Sequence, residues 1–161
     1  PRFNRHECLT PRLETQIDGK LYSNIYDRNC KLRDVSPKNG SETILLAEGV
    51  LSAIDQQKVE MDGNYRLQYT FLQDGVRISG ECRAAGQWIL PFVSEQTEQV
   101  TIEENFVKIQ KNEKIITILV KKGKMKLPYG IERIYQLVPG MEALKIAILP
   151  ENGEIDFCIG F

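Results

Sequence analysis

Residues 65–84 read YRLQYTFLQDGVRISGECRA, in which apolar and polar side chains alternate on both sides of Asp74-Gly75. An Asp-Gly pair between two alternating runs is a strong hairpin signal, because both residues tolerate the positive φ angles of a two-residue loop. If Asp74 and Gly75 form that loop, Tyr69 lies opposite Gly80 on one face of the hairpin. The stretch therefore predicts two antiparallel strands with one apolar face and one solvated face.

The same turn chemistry recurs along the chain. Four further dipeptides of this kind are Asp18-Gly19, Asn39-Gly40, Asp62-Gly63 and Asn152-Gly153. A second hairpin is predicted around Asn112-Glu113, and its outgoing strand, Ile115 to Val120, is apolar on both faces. Alternation disappears when both faces of a strand are buried, so this strand is expected to be central or to be covered by another layer.

Many other short runs rich in β-branched and aromatic residues predict strands. They are Leu13 to Ile17, Leu21 to Tyr26, Thr43 to Ala53, Trp88 to Val93, Val100 to Ile102, Ile131 to Leu137, Leu144 to Leu149 and Ile155 to Phe161. Pro91 cannot donate a ladder hydrogen bond, which assigns its strand to a sheet edge or breaks it. Short strands joined by turns predict an all-β chain, an antiparallel two-sheet β-sandwich in which residues 1–161 form a single domain.

Composition and charge place the chain among ordinary globular proteins. It has 161 residues, of which 42% are hydrophobic and 27% are charged, with 21 basic and 22 acidic side chains. This balance predicts no general attraction to nucleic acid or to a membrane surface. The sequence starts at Pro1 without an initiator methionine. We expect a C-terminal fragment of a larger protein, and its compartment stays open between periplasm, exterior and cytoplasm.

Catalytic and metal-binding signatures are absent from the sequence. The cysteines, Cys8, Cys30, Cys82 and Cys158, match no zinc, haem or redox spacing and are expected to be free, buried thiols. We therefore predict no metal and no cofactor. His6 is the only histidine and thus a weak candidate for catalysis. A lone histidine without a nearby nucleophile is more often an ordinary surface or packed side chain.

Three residues are candidates for ligand binding. The predicted register places Arg66 directly opposite Arg83 on the solvated face of the first hairpin, where two guanidinium groups could bind a uronic acid or a sulfate. Alternatively, Glu81 bridges both arginines on a wet surface. Trp88 could stack on a sugar ring, but its apolar neighbours favour packing in the core.

Three stretches together resemble a known family. They are YRLQYTFLQDGVRI from Tyr65, WILPF from Trp88 and LVPGMEAL from Leu137, and they are similar to the β-sandwich domain of heparinase II/III-type polysaccharide lyases and related carbohydrate-active enzymes. The resemblance implies a β-sandwich that follows a helical toroid, with supersandwich or mutarotase-like variants as alternatives. It also implies that most catalytic residues belong to the toroid.

Two functions follow from this resemblance and from the aromatic residues. The first is a non-catalytic accessory domain of a glycan-degrading lyase or hydrolase, which lines one side of a carbohydrate cleft. Its implied partners are an acidic polysaccharide and an upstream helical domain of the same chain. The second is a self-standing carbohydrate-binding or protein-interaction module, which requires an exposed aromatic platform.

Overall fold

The computed structural model describes residues 10–38, 40, 42–95, 98–126, 133–138 and 141–161, and these residues form fourteen β-strands. The strands are β1 Arg12–Ile17, β2 Lys20–Ser23, β3 Lys31–Asp34, β4 Thr43–Val50, β5 Asn64–Leu72, β6 Gly75–Glu81, β7 Gln87–Glu95, β8 Gln99–Ile102, β9 Phe106–Lys111, β10 Lys114–Lys122, β11 Lys124–Lys126, β12 Arg133–Val138, β13 Met141–Leu149 and β14 Glu154–Gly160. A short 3-10 turn, Asn24–Tyr26, follows β2. No helix among the described residues is long and apolar enough to span a membrane.

The strands form two antiparallel sheets, which confirms the predicted β-sandwich. One sheet has the order β11-β13-β7-β1-β2, with β12 also paired to β13. The other has eight strands in the order β3-β4-β5-β6-β14-β10-β9-β8. Buried side chains from both sheets belong to one core cluster, and the Trp88 ring of β7 lies 5.7 Å from the Phe157 ring of β14.

Trp88 is a core residue and not part of a surface site. Its side chain is 0% exposed, and its indole Nε1 is buried without a hydrogen-bond partner. The tilted contact with Phe157 is a typical aromatic pair across a sandwich core. The prediction that Trp88 binds a ligand is therefore corrected, because its ring has no surface on which a sugar could stack.

The hairpin of β5 and β6 differs from the predicted register by two residues. The loop is Gln73-Asp74, so Leu72 pairs with Gly75 and Leu67, instead of Tyr69, lies opposite Gly80. A Cβ on Gly80 would lie 2.5 Å from Leu67 Cδ2, which shows how closely the leucine covers the glycine. The shift is even, so every side chain keeps its predicted face.

Close packing explains why Gly75 belongs to a strand and not to the turn. Neither Asp74 nor Gly75 has a positive φ. Gly75 pairs with Gly160 of β14, and a Cβ at Gly75 would lie 2.2 Å from the carbonyl oxygen of Ile159. This glycine therefore serves the close approach of β14, a long-range requirement that the local Asp-Gly signal does not reveal.

Two other hairpins form as predicted. Asp18-Gly19, with φ angles of 50° and 77°, joins β1 to β2. Asn152-Gly153, with 52° and 79°, forms a turn but no hairpin between strands, because it connects β13 of one sheet to β14 of the other. The turn at Asn112 joins β9 to β10, and the predicted apolar face of this hairpin is confirmed by the buried pairs that it contains. The β10 strand is central, between β14 and β9, but it is buried on one face only, since Ile115 and Leu119 are exposed on the other.

Pro91 lies within a central strand, so the predicted edge position is wrong. The β7 strand runs unbroken from Gln87 to Glu95 between β13 and β1. Its pairing with β1 includes only residues 87–89, and Pro91 is opposite Lys145 of β13. The proline is tolerated because β1 does not extend beside it, which leaves one side of β7 without a ladder at this point.

The cysteines that the structure describes are free, as predicted. Cys82 is buried and Cys158 is half-buried, whereas Cys30 is exposed, which corrects the expectation that it would be buried. Cys8, His6 and Asn39 lie outside the described residues. Within the described ranges, no group of three or more His, Cys, Asp or Glu side chains is placed to hold a metal ion.

Candidate functional site

A cleft of about 730 Å³ lies at one end of the eight-stranded sheet, and we call it the β3–β6 cleft. Strands β3 to β6 contribute to it together with the loops that flank them. Its basic lining residues are Lys31, Lys58, Arg66 and Arg83, and its acidic lining residues are Asp27, Glu48, Asp62 and Glu81. The basic and acidic residues are equal in number. Which of these charges is available to a ligand therefore depends on the ion pairs that they form with each other.

Register explains how four of these charges come to lie in one row. Lys31 pairs with Glu48, Glu48 with Arg66, and Arg66 with Glu81, on four successive strands. Directly opposed residues in an antiparallel sheet point to the same face. The outer face of the sheet therefore carries a row of alternating positive and negative side chains across β3, β4, β5 and β6.

Asp27, Gly49 and Tyr65 form the floor of the cleft. The Asp27 carboxylate accepts hydrogen bonds from the Val50 amide at 2.9 Å and from the Tyr65 hydroxyl at 3.1 Å. Gly49 permits this approach, since a Cβ there would lie 2.0 Å from Asp27 Oδ2 and 2.5 Å from the tyrosine oxygen. The Asn29 amide donates to the other carboxylate oxygen at 2.9 Å. Asp27 is thus held inside the protein by three donors.

Tyr65 stays protonated at neutral pH. Burial of its hydroxyl, reinforced by Cys30 and Asp27 beside it, raises the pKa of Tyr65 well above its ordinary value. Burial likewise raises the pKa of Tyr69 to about 12. A phenol with such a pKa is a hydrogen-bond donor and a poor general base. Tyr65 therefore acts in this structure as a support for Asp27.

The two arginines predicted from the sequence both line the cleft. Arg66 is 58% exposed, and its Nε lies 3.7 Å from Glu48 Oε1. Arg83 is 83% exposed and lies 4.0 Å from Asp62. They are not directly opposed, as the predicted register required, because Arg66 pairs with Glu81. The alternative, with Glu81 bridging both arginines, is not observed, since their ion pairs are with Glu48 and Asp62.

Glu48 makes a second, closer ion pair outside the lining of the cleft. Arg33 of β3 donates through Nη2 to Glu48 Oε2. The sequence did not predict a site role for Lys31, Arg33, Glu48 or Lys58. The alternation of Lys31 and Arg33 was the available signal, but β3 has four residues, all of them exposed, and it lacks the apolar pattern by which strands are recognised.

A smaller hollow of about 340 Å³ continues the cleft across the sheet and shares Arg66 and Glu81 with it. Gln68 and Ser79 contribute neutral polar groups to this hollow. Two of its acids are engaged in ion pairs, Glu154 with Lys122 and Asp156 with Arg77. The outer face of the sheet therefore carries a continuous polar groove that runs across β3, β4, β5, β6, β14 and β10.

Aromatic side chains contribute little to this surface. Tyr22 and Tyr65 are buried, and Tyr26 and Tyr69 are half-buried. Together with the buried Trp88, these tyrosines form no exposed platform among the side chains that the structure describes. Phe71 and Phe161 are exposed, at 44% and 69%, but they line neither hollow. Tyr129 lies outside the described residues. The charged groups of the groove are therefore the features that can recognise a ligand.

The fold and the cleft define the class of this chain as an antiparallel β-sandwich domain with a charged groove on its larger sheet. Residues 1–160 match the ulvan lyase C-terminal domain family, and the chain belongs to that family. It is 28% identical over 159 residues to a broad-specificity ulvan lyase from Formosa agariphila. The alignment covers 94% of this chain and 24% of that protein, so the chain spans about a quarter of its relative.

These matches support the association with polysaccharide lyases that the sequence predicted. They name ulvan lyases, and they do not support the finer assignment to the heparinase II/III type.

Proposed function

We propose that this chain is a non-catalytic accessory domain of a polysaccharide lyase, and that its β3–β6 cleft binds an acidic polysaccharide. The observation that carries the proposal is the exposed Arg66 guanidinium, whose one ion pair among the described residues is long, at 3.7 Å. Guanidinium groups bind carboxylates and sulfates through parallel hydrogen bonds. Arg83, Lys58 and Lys31 surround it and add positive charge at the mouth of the same cleft.

The non-catalytic part of the proposal rests on the state of two residues at the floor of the cleft, Tyr65 and Asp27. Tyr65 retains its proton, and three donors hold the Asp27 carboxylate. Proton abstraction requires a base with a free lone pair within hydrogen-bond reach of the substrate. In our proposal, the chain holds the polysaccharide while the rest of the parent enzyme carries out the elimination.

The position of the chain in its relative supports an accessory role. The curated relative is a lyase about four times as long, and the matching family is described as its C-terminal domain. We propose that a helical domain precedes this chain in the parent protein, as the resemblance to heparinase II/III-type lyases implies. The groove on the eight-stranded sheet would then line one side of the carbohydrate cleft.

The test measures binding and turnover with the 161-residue chain itself. Affinity electrophoresis and calorimetry are run with ulvan, polygalacturonate, dextran sulfate and uncharged dextran. We expect binding to ulvan and to at least one of the two charged polymers, weakening as salt increases, and no binding to dextran. The comparison of polygalacturonate with dextran sulfate distinguishes recognition of carboxylates from recognition of sulfates.

Two results would overturn this proposal. Equal binding to dextran and to the charged polymers would show that the cleft does not select for acidic groups. Ultraviolet absorbance from unsaturated uronate products, formed by the chain alone at a rate typical of lyases, would show that the domain is catalytic.

A further inference from the structure

Glu48 lies between two arginines that compete for its carboxylate. It is directly opposite Arg66 of β5, while Arg33 is on the neighbouring strand β3, two residue pairs further along. Arg33 makes the close contact, to Oε2, and Arg66 makes only the long one, from Nε to Oε1. Register alone favours Arg66 or Lys31 as the partner of Glu48, because directly opposed side chains are nearest neighbours across a sheet. The observed geometry is the reverse.

Arg77, on the same face of the sheet, makes a much closer ion pair than Arg66 does. Arg77 donates from Nε and Nη2 to the two carboxylate oxygens of Asp156, at 2.9 Å and 2.5 Å. This two-pronged pair occupies the edge of the guanidinium that would otherwise receive a ligand. Arg66 would be occupied in the same way if Glu48 were free to turn towards it. Glu48 instead makes its close contact with Arg33.

Glu48 is thus an internal substitute for an acidic ligand. A carboxylate that forms a full pair with Arg66 would have to be displaced before a uronate or sulfate could bind, which lowers the apparent affinity. Holding Glu48 against Arg33 removes that competition in advance. Glu81, on the other side of Arg66 in the same row, makes no ion pair with it among the described residues, and the ion pair with Glu48 is beyond hydrogen-bond distance at 3.7 Å.

We propose that Arg33 is a positioning residue, which holds Glu48 away from the Arg66 fork and so keeps Arg66 available for an anionic group of the polysaccharide. This inference rests on the proposed function, since it assigns the anion-binding atom within the β3–β6 cleft. Arg33 does not line the cleft, and its effect on binding passes through Glu48.

The test is a double-mutant cycle with the variants Arg33→Gln, Glu48→Gln and the combination of both. The probe is a polygalacturonate oligosaccharide, with dextran sulfate oligosaccharide as the sulfate arm. In the native background, Arg33→Gln is expected to lower affinity about tenfold, because Glu48 then pairs with Arg66. In the Glu48→Gln background, the same change is expected to lower affinity only about twofold, through the loss of one exposed charge. Glu48→Gln alone is expected to raise affinity.

Lys114→Gln is the matched control for the lost charge. Lys114 lies at the β9–β10 hairpin, away from both hollows, and its removal is expected to change affinity no more than about twofold. An equal loss for Arg33→Gln in both backgrounds would show that Arg33 is merely one more positive charge, and it would overturn the inference.

A measurement without ligand separates this inference from the proposed function. Nitrogen NMR of the arginine side chains, or a crystal structure of the Arg33→Gln variant, is expected to show Glu48 in a two-pronged pair with Arg66. If the native chain binds no acidic polymer but this rearrangement is seen, the proposed function fails and the positioning role stands. If Glu48 stays away from Arg66 in the variant, the inference is wrong whatever the affinity.

Discussion

Two arginines on the outer face of the eight-stranded sheet show how similar positions acquire different uses. Arg77 is closed, in the sense that its Nε and Nη2 both donate to Asp156, at 2.9 Å and 2.5 Å. Arg66 is open, because its neighbouring carboxylate, Glu48, is held by Arg33 and lies 3.7 Å away. Both arginines are about half exposed, at 48% and 58%. Exposure therefore does not distinguish the two arginines. They differ in the nearby carboxylate, because Asp156 pairs with Arg77 itself, whereas Glu48 makes its close pair with Arg33.

The comparison separates an ion pair that stabilises the fold from a cation that can bind a ligand. An exposed pair such as Arg77 with Asp156 contributes roughly 0–1 kcal/mol to stability. An arginine that is left open loses that contribution, but its donors remain available for charge-assisted hydrogen bonds with a ligand. Four experiments test this distinction.

The largest effect is expected from Gly49→Ala at the floor of the open end. The new Cβ would lie 2.0 Å from Asp27 Oδ2 and would force Asp27 and Tyr65 apart, at a cost of about 3 kcal/mol in the free energy of unfolding. Urea denaturation measures the loss. Gly86→Ala is the control, because its Cβ would meet no atom closer than 3.4 Å. Equal stabilities of the two variants would show that the cleft floor is not tightly built.

Arg66→Gln is expected to lower affinity for an acidic polysaccharide about tenfold or more, since a charge-assisted pair contributes roughly 1.5–3 kcal/mol. Calorimetry with polygalacturonate or dextran sulfate measures the change. The control is the charge-neutral double variant Arg77→Gln with Asp156→Asn, which removes the closed pair and is expected to change affinity little. A similar loss of affinity in Arg66→Gln and in the double variant would show that the two arginines do not differ in ligand binding.

The closed pair is expected to appear in the pH dependence of stability. Hydrogen bonding to Arg77 and its positive charge lower the pKa of Asp156 below the ordinary value of 3.8. The pair therefore stabilises the fold above that value and loses its effect as pH falls through the lower pKa of the folded state.

Asp156→Asn should accordingly reduce stability at pH 7 by up to about 1 kcal/mol and have a shrinking effect below about pH 4. Thermal unfolding at several pH values measures this, with the exposed Glu104→Gln as control. A destabilisation that does not change with pH would mean that the carboxylate charge is not the cause.

The smallest effect is expected from Arg83→Gln, with a loss of affinity of about twofold that vanishes at high salt. Arg83 is 83% exposed and lies at the rim of the cleft, so it attracts an anion without being fixed in position. Titrations at low and high ionic strength measure this behaviour. A loss as large as that of Arg66→Gln at both salt concentrations would make Arg83 an equal partner in binding.

Local turn chemistry made much of the fold predictable, whereas long-range packing did not enter the prediction. Asp18-Gly19 and Asn152-Gly153 form the turns expected from their sequence. Gly75 misled the register, because its role depends on Ile159, distant in sequence but adjacent in space. Pro91 led to a wrong prediction of an edge strand for a related reason. The proline is tolerated because β1 ends before it, and the sequence around Pro91 does not show where β1 ends.

The site was predictable in part from strand alternation. Alternation predicted Arg66 and Arg83 on the solvated face, and both line the cleft, although Arg83 lies two residues beyond the end of β6. The ion pair between Arg33 and Glu48 was not predicted, because a pair between two strands depends on their register, which the sequence does not show. Trp88 was correctly expected in the core from its neighbours, and His6 stays an untested candidate outside the described residues.

The place of β14 in the larger sheet has a consequence for how the chain reaches its native state. Strands β3 to β6 and strands β8 to β10 form two groups that meet only through β14, which pairs with β6 on one side and β10 on the other. These contacts join segments far apart in sequence, and such topologies fold slowly. Until residues 154–160 insert, the two groups present unpaired inner edges, so during synthesis the eight-stranded sheet can close only after residue 160 has left the ribosome.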